Sequence, residues 1–228
     1  MSETVVITGA NRGIGLEFAR QYAREGWTVI GTARNPEEAD ELKNLDGSVT
    51  VLPLDVTDED SIESCRKAVN DQHGSIDRLI NNAGVMGSKE AFENLASDEL
   101  REVFDVNCLG AFRLTQAFRS MLEDNSGSVV FVTSLMGSIE DNQSGGSYAY
   151  RISKAGLNML AKTLSEDFAP ETLTVLLLHP GWVQTRMGGP SAKISVEESV
   201  GGMREVIASA SEEDHGKFLS YEGEELPW

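Results

Sequence analysis

The sequence predicts an α/β fold: a single domain whose doubly wound, mostly parallel sheet of about seven strands is flanked by helices. Three observations predict it. Short apolar runs alternate with longer helical patterns from one end of the chain to the other. Those apolar runs show little polar alternation, the habit of strands buried on both faces. At 228 residues the chain fits one undivided unit, and no Pro-rich linker, internal repeat or low-complexity stretch divides it.

The first strand is expected over Thr4–Thr8, and a helix over Ile14–Glu25 follows it across a glycine-rich turn. Strands over Thr28–Ala33 and Val49–Leu52 precede a helix over Ser61–Asn70. There Thr57 followed by Asp60 matches the Ser/Thr-x-x-acid pattern that satisfies the free amides of a helix start. Ile76–Ile80 reads as the fourth strand, Asp98–Met121 as one long helix and Ser128–Thr133 as the fifth strand. A helix over Tyr148–Phe168, a strand over Leu173–His179, a helix over Val196–Ser209 and a weaker strand over Lys217–Ser220 complete the order. Ser195 with Glu198 repeats the capping pattern. Gly137–Ser147 and Gly188–Ser191 read as loops, each after a strand, on the side where doubly wound sheets bind ligands.

Composition narrows the function classes. A hydrophobic content of 40% and a charged content of 25% are ordinary for a globular chain. No apolar run approaches the roughly 18 residues a bilayer span needs. The start, Met1-Ser2-Glu3-Thr4, lacks the basic and then apolar layout of a secretion signal. A cytoplasmic protein without membrane insertion is expected. Cys65 and Cys108 lie far apart without C-x-x-C spacing, and His73, His179 and His215 are isolated, so neither a disulfide framework nor a metal site is expected. Against 37 acidic residues stand 19 basic ones, a net charge of −18 that repels nucleic acid and anionic lipid. Only 7 of the basic residues are lysine. Such an acidic surface fits either ordinary solvation or a salt-rich cytoplasm that screens its self-repulsion.

Two motifs carry chemistry. Thr8-Gly9-Ala10-Asn11-Arg12-Gly13-Ile14-Gly15 lies between the first strand and the first helix. Glycines there let the backbone approach a pyrophosphate, and the helix amino terminus supplies partial positive charge. The spacing is G-x-x-x-G-x-G rather than G-x-G-x-x-G, and by itself also describes a plain tight turn. The second motif, Tyr150-Arg151-Ile152-Ser153-Lys154, falls in a helical stretch. Positions i and i+4 share a face, so the Lys154 ammonium can sit near the Tyr150 phenol and favour its phenolate. Tyr148 has Ile152 at its own i+4 and cannot play that part.

The combination is more specific than either motif. Thr8 to Gly15, Asn81-Asn82-Ala83-Gly84, Asn107, Ser134, Tyr150 and Lys154 occur together and in order. This set resembles the short-chain dehydrogenase/reductase family over essentially the whole chain, residues 1–228, and implies a Rossmann-like fold. The resemblance implies that Tyr150 is the general acid in carbonyl reduction and the base in the reverse direction. It implies that Ser134 hydrogen-bonds the substrate oxygen, that Lys154 binds the nicotinamide ribose and that Tyr150 also contacts the cofactor, its ring packing beside it. Asn107 would hold a water linking Lys154 to solvent. Ser138 also lies on this segment; the match of Val129–Gly137 to the family's strand favours Ser134, with Thr133 replacing the usual first serine.

The gap of 16 positions from Ser134 to Tyr150 exceeds the family's usual spacing. With the ending Gly223–Trp228, it narrows the resemblance to the branch of sniffer-type carbonyl reductases and the bacterial C-factor signalling protein. For the cofactor, the resemblance implies contacts from Gly9, Asn11, Arg12, Gly13, Ile14 and Gly15. It also implies contacts from Asp55 and Val56 beside adenine, and from Asn82, Ala83 and Gly84 at the ribose, although Asp55 can equally be a cap beside Thr57. Pro180, Gly181, Val183 and Thr185 resemble the turn that holds the nicotinamide amide.

Cofactor choice can be read from the residues themselves. An NAD site places an acid at the end of the second strand, where this chain has Ala33 and Arg34. Arg34 and Arg12 suit a 2′-phosphate, so NADP(H) is the expected cofactor. The segment over 186–196 is short for a substrate lid, leaving Trp182, Met187 and Leu135 as an open apolar wall. The expected activity is NADPH-dependent reduction of small aldehydes or ketones. The alternative is an NADP(H)-binding signalling module, and the family's habit of pairing through its two long helices implies a homodimer.

Overall fold

A computed structural model describes residues 2–88 and 90–228. Its elements are β1 (Thr4–Ile7), α1 (Gly13–Arg24), β2 (Thr28–Ala33), α2 (Asp40–Lys43), β3 (Ser48–Pro53), α3 (Glu59–His73), β4 (Arg78–Asn81), α4 (Ser97–Phe104), α5 (Gly110–Glu123), β5 (Ser128–Val132), α6 (Tyr148–Asp167), β6 (Thr174–His179), α7 (Val196–Ser209) and β7 (Phe218–Ser220). The seven strands form one sheet in the order β3-β2-β1-β4-β5-β6-β7. Every adjacent pair is parallel.

Alternate residues of each strand enter two separate cores. Val129, Phe131 and Leu177 pack with Phe118 and Leu157 on one face. Val130, Val132, Leu176 and Leu178 pack with Phe18, Tyr22 and Met203 on the other. Both faces are covered by helices, so the strands read as unbroken apolar runs. The chain winds outward from β1 to β3 and then returns to β4 on the other side of β1. A reversal of this kind opens a crevice at the carboxyl ends of the strands.

Two local expectations change. The single helix expected over Asp98–Met121 is interrupted: α4 ends at Phe104, a π-helical turn spans Asp105–Leu109, and α5 follows. The wider turn accommodates an extra residue, and Asn107 within it is 1% exposed. Thr57 does not cap α3. Asp58 does, accepting from the Asp60 and Ser61 amides at 2.9 and 3.3 Å, so the helix begins earlier than Ser61. At α7 the Ser195 hydroxyl accepts from the Glu198 amide at 3.0 Å, as the pattern requires. The four-residue α2 escapes periodicity altogether and is anchored by the fully buried Leu42.

Candidate active and cofactor-binding site

The glycine turn is built for close backbone approach. Gly9 has φ +64°, and a Cβ there would stand 3.1 Å from the Ala83 Cα. A Cβ on Gly15 would stand 2.5 Å from the Asn82 Nδ2 and would meet the Gly9 carbonyl oxygen closer still. Asn82 holds the turn in place: its amide donates to the Thr8 carbonyl at 2.8 Å and to the Gly9 carbonyl at 3.3 Å. The Thr8 hydroxyl accepts from the amides of Asn82 and Ala83 at 3.0 and 2.9 Å. Asn82 and Ala83 are therefore joined to the glycine turn across the β1–β4 crevice.

The amino terminus of α1 has no side-chain cap and no acid in its first turn. An uncapped positive helix end is a natural seat for an anion. Arg12 and Arg34 are both exposed beside it, and their mutual repulsion helps hold the Arg12 guanidinium below its ordinary value after the larger effect of burial. Asn11, Gly13 and Ile14 are half-buried around the turn.

Farther along the crevice, Asp55 Oδ1 accepts from the Thr57 amide at 2.9 Å and its hydroxyl at 2.7 Å, which lowers the carboxyl pKa. It thus anchors a local turn next to the buried Val56. Pro180 is buried after β6, and Val183 pairs with Ile194 in an isolated bridge. The Thr185 hydroxyl accepts from the Gly188 amide at 3.0 Å, closing the turn that follows. The indole of Trp182, half exposed, donates to the Gly188 carbonyl at 2.8 Å.

The chemical groups converge where β5 meets α6. Ser134 is the first residue past the expected strand, Tyr150 and Lys154 lie on α6, and all three are buried. A Cβ at Gly137 would fall 2.7 Å from the Lys154 carbonyl carbon, so only glycine lets this segment lie against the helix. Burial raises the Tyr150 pKa above its usual value, and the Ser134 side chain opposes that rise. Lys154 was expected to pull the phenol down. Instead its ammonium donates to the Val132 carbonyl at 2.9 Å and lies 5.8 Å from the Tyr150 ring centre, while burial pushes its own pKa down to about 8. Desolvation sets the direction of the phenol's shift.

An ammonium carries three N–H donors, and among the described residues only one acceptor reaches it. A buried donor with spare capacity fits a ribose hydroxyl. Asn107 is differently occupied: Oδ1 accepts from the Val85 amide at 2.8 Å, and Nδ2 donates to the Val85 carbonyl at 2.8 Å and to Ser153 Oγ at 2.9 Å. Both amide donors are used, so the Asn107 side chain braces the Gly84–Val85 backbone against α6.

Ser138 is turned to a structural task. Its hydroxyl accepts from the Asp141 amide at 3.0 Å within the long loop. That loop is tied down by Arg151, which donates to Ser144 Oγ at 2.8 Å and to the Gly145 and Gly146 carbonyls at 3.2 Å. Trp228 adds a further tie: its carbonyl accepts from the Ile139 amide at 2.5 Å, and its ring packs on Phe218. Ser153 and Arg151 sit inside the Tyr-x-x-x-Lys motif, yet Arg151 serves the loop just before it and Ser153 the distant Asn107.

Known proteins resemble this chain in sequence and fold. A short chain dehydrogenase family model matches residues 3–194. The C-signal protein of Myxococcus xanthus is 45% identical over 162 residues, which cover 71% of this chain and 98% of that protein. The carbonyl reductase Sniffer of D. melanogaster superposes with a TM-score of 0.95 at 30% identity, covering 100% of both chains. The NADPH-bound carbonyl reductase from chicken fatty liver superposes with a TM-score of 0.94 at 35% identity, covering 100% of this chain and 99% of that one. On its fold, its crevice and these likenesses, the chain belongs to the short-chain dehydrogenase/reductase family, on the branch that holds the Sniffer-type carbonyl reductases and C-signal.

Proposed function

We propose that the protein is an NADPH-dependent carbonyl reductase acting on small aldehydes or ketones, with Tyr150 as its general acid. The observation that carries this reading is the buried phenol, un-ionised at neutral pH, beside Ser134 and Lys154. NADPH supplies the hydride. Tyr150 supplies the proton to the oxygen that the hydride leaves charged. The Ser134 hydroxyl donates to that oxygen while charge develops on it. Lys154 holds the ribose, and Asn107 keeps the Gly84–Val85 backbone registered on α6 through Ser153. Gly9, Gly13 and Gly15 seat the pyrophosphate, Arg12 and Arg34 the 2′-phosphate, Asp55 and Val56 the adenine. Pro180, Gly181, Val183 and Thr185 back the nicotinamide. Reduction calls on the protonated phenol, which is the form Tyr150 presents near pH 7.

The deciding experiment follows NADPH oxidation against a panel of aldehydes, ketones and quinones. Turnover with at least one class supports the reading. A second reading, a regulatory module of the C-signal type, draws on the 45% identity to that protein. Tight NADPH binding with no turnover across the panel would favour it. We place the protein in the cytoplasm; no helix among the described residues is long and apolar enough to cross a membrane. Exposed Leu109 and Phe112 at α5, with Ile152 and Met159 on α6, support a homodimer paired through these helices.

Three expectations follow for kinetics. NADPH should exceed NADH by at least ~10-fold in kcat/KM, the worth of one or two charged hydrogen bonds. Arg34→Ala should raise KM for NADPH and barely change it for NADH; equal kinetics in the unmodified enzyme contradict the assignment. Ser134→Ala should lower kcat by about 10²-fold, as loss of one oxyanion donor does, whereas Ser138→Ala should leave kcat in place and relax only its turn. The opposite ranking would exchange the two serines.

The third concerns pH. The free enzyme holds the Lys154 pKa at about 8 instead of 10.5, so the cation is present below that pH and lost above it. The kcat/KM for NADPH, which reports the free enzyme, should therefore fall as pH rises through about 8. A profile that stays level up to the ordinary lysine range would contradict this.

A further inference from the structure

We propose that Arg186 is a third phosphate-binding arginine of the cofactor site, contributed by the substrate-side segment after β6 rather than by the glycine turn. The proposal rests on the NADP(H) reading above. Its first support is contact between the two segments. A Cβ built on Gly13, the first residue of α1, meets the Thr185 Cγ2 at 3.5 Å. The chain at Thr185 therefore lies over the amino terminus of α1, and Arg186 is the next residue.

That position is fixed. The Gly188 amide donates to the Thr185 hydroxyl at 3.0 Å, and the Gly189 amide donates to the Thr185 carbonyl at 2.9 Å. Upstream, the Gln184 amide donates to the Ile194 carbonyl at 2.9 Å. Arg186 thus projects from a closed turn, exposed, at the edge of an open cavity of about 440 Å³ lined also by Gln184, Thr185, Gly189 and Pro190.

Charge gives the second support. Arg186 and Arg34 both repel the Arg12 guanidinium, Arg186 the more strongly. Three cations gather in a chain whose net charge is −18. Among the described residues none of the three has a carboxylate partner within 4.0 Å. Arg20, Arg66, Arg101, Arg113, Arg119 and Arg204 have one, whereas Arg24, Arg78 and Arg151 also lack one, so the clustering and not the missing partner sets the three apart. On so acidic a surface, unpaired arginines crowded at an uncapped helix start are electrostatically unfavourable until an anion arrives. The dinucleotide brings two kinds of phosphate. The Thr185–Gly13 contact places Arg186 over the helix start, where the pyrophosphate is seated, so that group is its partner.

The test is a fluorescence titration of NADPH and of NADH into wild type, Arg186→Ala, Arg186→Lys and Arg101→Ala. Arg101 is exposed and remote on α4, so its variant carries the same change in net charge without the local contact. Arg186→Ala should weaken both dinucleotides about tenfold, the worth of one charged hydrogen bond, while Arg101→Ala leaves both unchanged. Arg186→Lys should recover part of the loss. Loss confined to NADPH also supports a phosphate contact and moves it to the 2′-phosphate. Unchanged affinities in Arg186→Ala, or equal losses in Arg101→Ala, overturn the assignment while leaving the cofactor reading intact. A wild-type protein that binds neither dinucleotide overturns both.

Discussion

Tyr150→Phe is expected to lower kcat for carbonyl reduction by about 10²–10⁴-fold, the usual worth of acid–base assistance. The side chain is 8% exposed, and the phenylalanine ring preserves its shape within α6. What disappears is a single O–H group, the proton source that the reduction draws on. Neither Ser134 nor Lys154 can replace it. The Ser134 hydroxyl is a far weaker acid, and it already accepts from the Met136 amide at 3.1 Å. Lys154 donates to the Val132 carbonyl and lies 5.8 Å from the Tyr150 ring centre. NADPH affinity should be nearly unchanged, because the expected phosphate and ribose contacts come from other residues. Retention of more than about a tenth of wild-type kcat would remove Tyr150 from the acid role.

Much of this arrangement is visible in the linear chain because parallel strands are buried on both faces. All seven strands announce themselves as short apolar runs, and the structure moves their ends by at most two residues. The pairing of Tyr150 with Lys154 on one helix face follows from i,i+4 spacing. Its electrostatic outcome does not, because the sign of the phenol's shift depends on how dry the site is, and dryness is set by packing from Gly137 and β5. The π-helical turn at Asp105–Leu109 is equally hidden. One extra residue in a turn barely disturbs a 3.6-residue periodicity, although it aims Asn107 at Val85 and Ser153. Asp58 takes the cap from Thr57 because both side chains suit the task and only the backbone path chooses between them. Arg186 reads as one more loop cation until Thr185 is seen against Gly13.

Gly15→Ala should lower NADPH affinity about a hundredfold, although helix propensity alone argues the other way. Gly15 is the third residue of α1 and does not have a positive φ. In a free helix the change to alanine would gain about 1 kcal/mol. Here the new methyl group would stand 2.5 Å from the Asn82 Nδ2 and 2.9 Å from the Gly9 carbonyl carbon. Gly9 is backbone in a positive-φ turn and has no room to retreat, since its other side meets Ala83. Asn82 must then release the Thr8 and Gly9 carbonyls, at roughly 1 kcal/mol for each hydrogen bond, on top of the 1–3 kcal/mol typical of overpacking. Sterics outweigh propensity by a few kcal/mol, and the strain falls on the turn that seats the pyrophosphate; about 2.7 kcal/mol is a hundredfold. Gly201→Ala is the matched control. Gly201 lies within α7, has no positive φ, and a Cβ there meets nothing within 4 Å. It should gain the propensity term in full, raising Tm by about 2–4 °C for a chain of this size and leaving NADPH affinity unchanged. Titration of both variants with NADPH, beside their melting curves, separates the two effects. A Gly15→Ala protein that binds NADPH as tightly as wild type would show that the turn can yield and that its closeness does not serve the cofactor.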